Sequence, residues 1–336
     1  MIISKTPLRL SLGGGGTDLP AFSKKFGGSL ISATINKYVY VIIRSNFNEG
    51  IRFTGYHNKE TVKKPKEVKH PVIKAVLCKM KEFKDIRNRI EIVTLSDLPA
   101  NSGLGGSSSF IVGLLNALYA FKGKKISKNI LAKKALLLER SILKEAGGVQ
   151  DQYIASYGGF KIMNISKKGK VKIKNFKLGK KIIKNMEKEL ILFNTGVYRF
   201  SSGTQKKTEK KLLKKSNLEY LKEIKEIGKK NIKLLTEGNL FSYGSEMNRH
   251  WDLKKRYGDN ITNNHIDRLY KMGMKNGSSG GKLIGAGSGG FMMFYVPYKK
   301  SKSFKKAFRD LRLTNLKYKF TYFGSQIIYK EKNEKK

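Results

Sequence analysis

Hydrophobic and polar positions change period several times along the chain. The run Lys37-Tyr-Val-Tyr-Val-Ile-Ile-Arg44 is β-branched and aromatic, which predicts a strand. Ile2-Ile3 and Leu8 to Leu10 predict an earlier strand that stops at the glycines Gly13 to Gly16. Residues 89–95 predict a third. It leads through Pro99-Ala-Asn-Ser-Gly-Leu-Gly-Gly-Ser-Ser-Ser109 straight into the apolar segment Phe110 to Phe121, an order of strand, glycine-serine loop and buried helix. Helical spacing resumes after Ser127, a natural N-cap, through Leu131, Ala135, Leu138 and Ile142, and stops at Gly147-Gly148, with Glu139 inside. Residues 161–188 alternate Lys and Ile, predicting short strands and a linker, after which Glu189-Leu-Ile-Leu-Phe193 reads as a buried strand. The remainder predicts helices over about 209–236 and 264–276, a glycine-serine loop over 277–290 and a strand over 291–296. No repeat recurs at a period of about 20 to 50 residues. A division near residue 185 gives two units, 1–185 and 186–330.

Composition narrows the class. The 336 residues, 39% hydrophobic and 10% aromatic, suffice to bury a sizeable core, and disorder is excluded. The longest apolar stretch, Phe110 to Phe121, falls well short of the roughly 18 residues that cross a bilayer. The first residues carry no signal-peptide pattern, and the single cysteine, Cys78, fits a reducing compartment, so a cytoplasmic protein is expected. The net charge of +45 admits polyanionic partners. Its excess is Lys rather than Arg, scattered in pairs such as Lys24-Lys25, Lys180-Lys181 and Lys254-Lys255. Codon bias toward A and T gives the same composition without any polyanion partner, and nucleic acid is expected at most as a nonspecific ligand.

The chemistry is concentrated in three glycine loops. Gly103-Leu-Gly-Gly-Ser-Ser-Ser109 at a helix start would turn backbone N–H groups and hydroxyls toward one point, where the helix dipole favours an anion. It is not a Walker loop: Gly281-Lys282 is followed by Leu283 and position 276 is Asn. Nor is Gly285 to Gly290 a dinucleotide fingerprint, because the strand follows it. His57, His70, His250 and His265 show no metal-ligand spacing.

These residues resemble the galactokinase, homoserine kinase, mevalonate kinase and phosphomevalonate kinase superfamily across essentially the whole chain. Pro99 to Ser109 resembles its phosphate-loop signature P-x-x-x-G-L-G-S-S-A-A with Gly106 for the first serine, Pro7-Leu8-Arg9 with Gly13 to Gly16 resembles its first motif, and Gly285 to Gly290 its third. Within the superfamily, Gly14-Gly15-Gly16-Thr17-Asp18 and Gly147-Gly-Val-Gln-Asp-Gln-Tyr153 are most similar to D-glycero-D-manno-heptose 7-phosphate kinases. Thr17-Asp18 also resembles the galactokinase G-E-H-T-D segment, whose Glu and His are glycines here, leaving room for a bulkier sugar.

The resemblance implies an α+β, two-domain kinase with an N-terminal domain of the ribosomal-protein-domain-like type, a left-handed crossover and a ferredoxin-like C-terminal domain. It implies ATP and Mg²⁺ as cofactors and a small phosphorylated sugar as acceptor, with a homodimer compatible. Asp151 would take the proton of the sugar hydroxyl and Arg9 would partner it. Gly103, Leu104, Gly105, Gly106, Ser107 and Ser108 would hold the nucleotide, and Ser107 with Glu139 the metal. Gly15, Gly16, Thr17, Asp18, Gly287 and Ser288 would meet the substrate. Arg199, Ser201, Ser202 and Thr204 are candidates for a distal phosphate. The expected reaction is phosphorylation of O1 of D-glycero-D-manno-heptose 7-phosphate to the 1,7-bisphosphate, for nucleotide-activated heptose synthesis. The alternatives are another sugar-1-kinase, fucose-type or related hexose, and a basic nucleic-acid-binding protein. The residues alone also admit blander roles: an N-cap at Asp151, a turn at Asp18, a solvated Glu139.

Overall fold

The computed structural model describes residues 1–55, 58–86, 89–197, 215–258 and 260–331. The first strand, β1 (Ile2–Gly13), pairs antiparallel along its length with β2 (Gly28–Ser45), and the short helix α1 (Pro20–Phe26) fills the connection. The predicted strand at 37–44 is thus the second half of an 18-residue one. Its first half was hidden because it carries Ser29, Ser32 and Thr34. These hydroxyls are buried yet partnered: Ser32 donates to the Leu10 carbonyl at 3.2 Å and Thr34 to the Thr321 carbonyl at 2.8 Å.

Strand β2 serves two neighbours. Its second half pairs with β5 (Ile90–Ser96), which is joined in parallel by β3 (Ile51–Thr54), and β4 (Lys59–Val62) pairs antiparallel with β3. Its first half pairs with β6 (Phe160–Ile165), extended by β7 (Val171–Asn175). Helices α2 (Pro71–Lys79) and α3 (Gly106–Phe121) close a core over β2, β3 and β5, with Ile73, Leu77, Ile111 and Leu115 fully buried. The predicted helix after Ser127 is α4 (Lys128–Leu136), capped by Ser127, and it continues through residues 137–142 as one π-helical turn rather than as α-helix. After a loop comes α5 (Gln150–Tyr157).

The segment expected as strands and linker holds β6 and β7, but ends in a helix, α6 (Lys180–Glu189), that buries Ile183 and Met186. A second, three-stranded sheet follows in the order β8-β10-β9, from β8 (Leu190–Asn194), β9 (Gly280–Leu283) and β10 (Phe291–Tyr295). Leu190, Leu192, Phe291 and Met293 face one core, while Ile191, Phe193, Met292 and Phe294 face another. Between β8 and β9 run α7 (Lys215–Glu237), α8 (Leu240–Tyr257) and α9 (Asn264–Lys275). Residues 209–214 of the predicted helix lie outside the described residues. Helix α10 (Ser301–Asp310) packs Phe304 and Phe308 on the second face.

The C-terminal segment returns to the large sheet. Strands β11 (Phe320–Thr321) and β12 (Gln326–Lys330), assigned from sequence to the second unit, pair with β2 and β1 of the large sheet. Strand β1 is thus flanked by β12 over Ile2 to Lys5 and by β2 along its length, and every residue from Thr6 to Gly13 is buried.

Helix α9 reaches the small sheet through Gly273, where a Cβ would overlap the Phe294 ring. In an exposed helix Gly→Ala gains about 1 kcal/mol, whereas overpacking a core costs about 1–3 kcal/mol. Gly273→Ala is predicted to lower the midpoint of thermal unfolding, and an increase would contradict this packing.

Candidate active site

Two pockets share a wall. One is lined by the phosphate loop (Gly103, Gly105, Gly106, Ser107, Ser108), by His70, Val72, Phe110, Glu139 and Leu143, and by Gly287. The other is lined by Ser11, Gly15, Gly16, Asp18, Gly148, Gln150, Tyr257 and the basic residues His250, Lys254 and Lys282. Arg9, Arg140, Asp151, Gly285 and Ala286 line both.

Arg9 and Asp151 make that wall. Arg9 leaves the buried centre of β1 and donates from Nε to Asp151 Oδ1 at 2.7 Å and from Nη2 to Oδ2 at 2.9 Å, a bidentate fork. Its Nη1 donates to the Gly103 carbonyl at 2.6 Å, and its backbone N–H to the Leu104 carbonyl at 3.0 Å, so one residue fixes the carboxylate and the loop together. Asp151 sits in the first turn of α5, and its side chain remains a quarter exposed while that of Arg9 is buried.

The loop itself needs Gly105. Its φ of 82° lies in the left-handed region at the N-cap of α3, and an added Cβ would stand 3.2 Å from Arg9 Cγ. The first N–H groups of α3 have no helical acceptor and the dipole is positive there, so this end suits phosphate oxygens. Leu104 differs from its neighbours: its side chain is buried in the core and only its backbone belongs to the site.

Glu139 lies on the π-helical turn at the base of this pocket. It accepts from Ser108 Oγ at 2.8 Å and, closely, from Gln152 Nε2. Ser107, the expected metal hydroxyl, is exposed on the pocket wall, and Ser108 is the hydroxyl that touches the carboxylate. Burial pushes the Glu139 carboxyl above its usual 4.5, against the pull of Arg140, Gln152 and Ser108. Gln152 Oε1 is buried with no hydrogen-bond partner. A buried carboxylate with an orphaned oxygen at its side fits a hard, oxygen-loving cation. No group of three or more His, Cys, Asp or Glu able to hold a metal occurs among the described residues. Mg²⁺ keeps waters and takes phosphate oxygens, so it needs only one or two protein ligands such as Glu139 and a neighbouring hydroxyl.

In the second pocket, Asp18 Oδ2 accepts the Gln150 N–H at 3.0 Å, which ties the first glycine loop to the start of α5. Burial raises the Asp18 carboxyl above its ordinary value, and the nearby Asp151 adds to the rise. Gly148 is required there, because a Cβ would fall inside the Asp18 carboxylate. Arg140 holds this loop, donating to the carbonyls of Gly148 at 3.1 Å and Ala146 at 2.6 Å.

The structure redistributes several expected substrate residues. Gly15, Gly16 and Asp18 line the second pocket, but the Thr17 hydroxyl donates to the Gly14 and Ser29 carbonyls and lines neither. Gly287 lines the phosphate-loop pocket, and Ser288 is tied to the Asn260 and Ile261 carbonyls, outside both linings. Arg199, Ser201, Ser202, Thr204 and His57 lie outside the described residues. Sequence reading passed over Arg140, Ser11, Lys254 and Lys282 and set His250 aside, although His250, Lys254 and Tyr257 fall at helical i, i+4, i+7 spacing.

The chain is similar to known proteins along nearly its whole length. Residues 70–159 match the model of the GHMP kinases N-terminal domain. The chain is 30% identical to the D-glycero-alpha-D-manno-heptose 7-phosphate kinase of Campylobacter jejuni, over 92% of this chain and 93% of that protein. It belongs to the GHMP kinase family. A crystal structure described as a D-glycero-D-manno-heptose 1-phosphate kinase from Bacteroides thetaiotaomicron shares the fold, with a TM-score of 0.82 at 23% identity over 99% of this chain and all of that one. A putative sugar kinase from Campylobacter jejuni superposes with a TM-score of 0.77 at 28% identity, over 97% and 98% of the two chains. The GHMP kinase described here is thus an ATP-dependent phosphotransferase with a mixed α/β, two-domain fold around a large sheet. Nothing in the comparisons supports the nucleic-acid-binding alternative. Among the described residues no helix is long and apolar enough to cross a membrane.

Asp151→Asn is predicted to lower kcat by about 10²- to 10⁴-fold, the range of a positioned proton acceptor, with the KM for ATP little changed; steady-state kinetics at saturating acceptor checks it, and a loss confined to KM would contradict the role. Glu139→Gln is predicted to melt about 2 °C or more above the parent at pH 8 in chelator. A carboxyl whose folded pKa is raised contributes its stability below its ordinary value and loses it as pH rises through the folded value, so the gap must shrink as pH falls. A variant melting below the parent at pH 8 would contradict the assignment.

Proposed function

We propose that this kinase transfers the γ-phosphoryl group of ATP to O1 of D-glycero-D-manno-heptose 7-phosphate, giving the 1,7-bisphosphate and ADP. The observation that carries the reading is the Arg9–Asp151 fork on the wall common to both pockets. A triphosphate laid on the α3 N-terminus and an acceptor in the second pocket meet only there. The identity to the heptose 7-phosphate kinase along nearly the whole chain supports the sugar.

Asp151 accepts the proton of the acceptor hydroxyl as its oxygen bonds to the γ-phosphorus, and the bond to the β,γ-bridging oxygen breaks to release ADP. Arg9 keeps the carboxylate aimed and offsets charge on the transferring group. The phosphate-loop N–H groups of residues 106–108 hold the nucleotide's phosphates, and His70, Val72, Phe110 and Leu143 leave an apolar wall for its base. Glu139, with Ser107 or Ser108, would hold Mg²⁺, which neutralises phosphate charge when bound. Asp18 accepts hydrogen bonds from sugar hydroxyls, so a deoxy analogue leaves it unpaired at a cost. The same reading divides the chain near residue 185 into a ribosomal-protein-domain-like unit and a ferredoxin-like unit about the cleft, and places the enzyme in the cytoplasm.

The test is ADP release with Mg-ATP on heptose 7-phosphate, mannose 6-phosphate, heptose, fucose and galactose. Turnover is expected on heptose 7-phosphate, at least about tenfold above the rest in kcat/KM. Equal or better turnover on fucose or galactose would overturn the heptose assignment in favour of another sugar-1-kinase.

A further inference from the structure

The second pocket contains more positive charge than phosphoryl transfer at Asp151 requires. Helix α8 sends His250 and Lys254 from one face toward β9, which contributes Lys282. Lys254 and Lys282 are only 8% and 3% exposed, among the few buried lysines in a chain that has 58; both lie in the field of Arg9, and Lys282 also in that of Lys254. Lys254 Nζ donates to the carbonyls of Gly285 at 2.6 Å and Leu283 at 3.3 Å, leaving a third proton uncommitted. Lys282 Nζ has no hydrogen bond or ion pair with any described residue. His250 Nδ1 and Ser11 Oγ, on the same wall, are buried without partners.

No carboxylate answers them. Asp151 is taken by Arg9, Asp18 accepts from Gln150, and the buried Glu246 on α8 pairs with Lys230. Leaving ammonium groups buried and unpaired costs several kcal/mol each, a cost with no structural return here. Both lysines are accordingly pushed down to about 7, chiefly by burial. A ligand that brings negative charge and several acceptor oxygens relieves all of these groups at once. None of the four lines the phosphate-loop pocket, so the ligand is not the nucleotide.

We infer that Lys282, Lys254, His250 and Ser11 form an anion subsite that grips the phosphate group the acceptor already carries. The inference rests on the reading of a phosphorylated sugar as acceptor and names the residues that select it. It moves that role from the 199–204 segment, suggested by sequence, to the α8–β9 face. Selection works by difference: an unphosphorylated sugar leaves Lys282 without an acceptor and Lys254 with carbonyl partners but no counter-charge, and discrimination follows from that deficit.

The experiment compares the parent enzyme and Lys282→Met on D-glycero-D-manno-heptose 7-phosphate and on unphosphorylated heptose, both with Mg-ATP. The ratio of kcat/KM for the phosphorylated over the plain sugar is expected to fall roughly 10- to 100-fold in the variant, the worth of a charge-assisted hydrogen bond. The variant should melt no lower than the parent, since an unpaired buried charge has been removed. Ser11→Ala, which alters no charge, should lower the same ratio severalfold. In titration calorimetry without nucleotide, heptose 7-phosphate should bind the parent and lose affinity in Lys282→Met. An unchanged ratio, or equal loss on both sugars, overturns the subsite while leaving the heptose 7-phosphate reading in place. A parent enzyme that shows no preference for the phosphorylated sugar overturns the reading itself.

Discussion

The active site depends on one contact, the fork between Arg9 and Asp151. It joins residues 142 positions apart, and both partners are fixed by structure that the sequence encodes locally: Arg9 by the interior strand β1, Asp151 by the first turn of α5. The remaining guanidinium nitrogen holds the Gly103 carbonyl, so the loop at the α3 N-terminus cannot move independently of the carboxylate. Removing either partner leaves a charge poorly solvated, which costs about 3–5 kcal/mol for a buried pair and somewhat less here because Asp151 is partly exposed. Arg9 lies beyond the stretch of β1 that β12 covers, Ile2 to Lys5; it pairs with Thr34 of β2 and its N–H donates to the Leu104 carbonyl of the loop.

Around that contact, electrostatics separates two kinds of site. On the loop side the protein presents backbone N–H groups and one strained carboxylate, Glu139, whose burial is tolerable when a cation answers it. On the acceptor side it presents cations and a hydroxyl that bond to neither carboxylate of that pocket, Asp151 being held by Arg9 and Asp18 by the Gln150 N–H. The two deficits are complementary: the first invites Mg²⁺ with a triphosphate, the second an anion carried by the acceptor. The overall charge of +45 is a different matter, since most of the lysines are solvated and only a few take part in this arrangement.

The loops were the most legible part. Glycine runs at 13–16, 103–106 and 285–290 stand out in sequence, and Arg9, Asp151 and Glu139 could be placed from motifs because their neighbours are distinctive. The β-branched and aromatic run at 37–44 and the continuous apolar run at 189–193 were also readable. Three things were not. The first half of β2 carries serines and threonines that find partners only in tertiary structure. Helix α8 buries His250 and Lys254 where a periodicity argument expects apolar side chains, so it left no clear pattern, and Lys254 was indistinguishable from the solvated lysines around it. The π-helical turn at 137–142 was read as continuous α-helix, because sequence spacing does not reveal an i to i+5 bond.

The most direct test is a crystal structure of the enzyme with a non-hydrolysable ATP analogue, Mg²⁺ and D-glycero-D-manno-heptose 7-phosphate. The account predicts the triphosphate on the loop at 103–108, the O1 hydroxyl within hydrogen-bond distance of Asp151, and the sugar's own phosphate against Lys254 and Lys282. A sugar bound with its ring hydroxyls away from Asp151, or a triphosphate seated on the α8–β9 face, would contradict it.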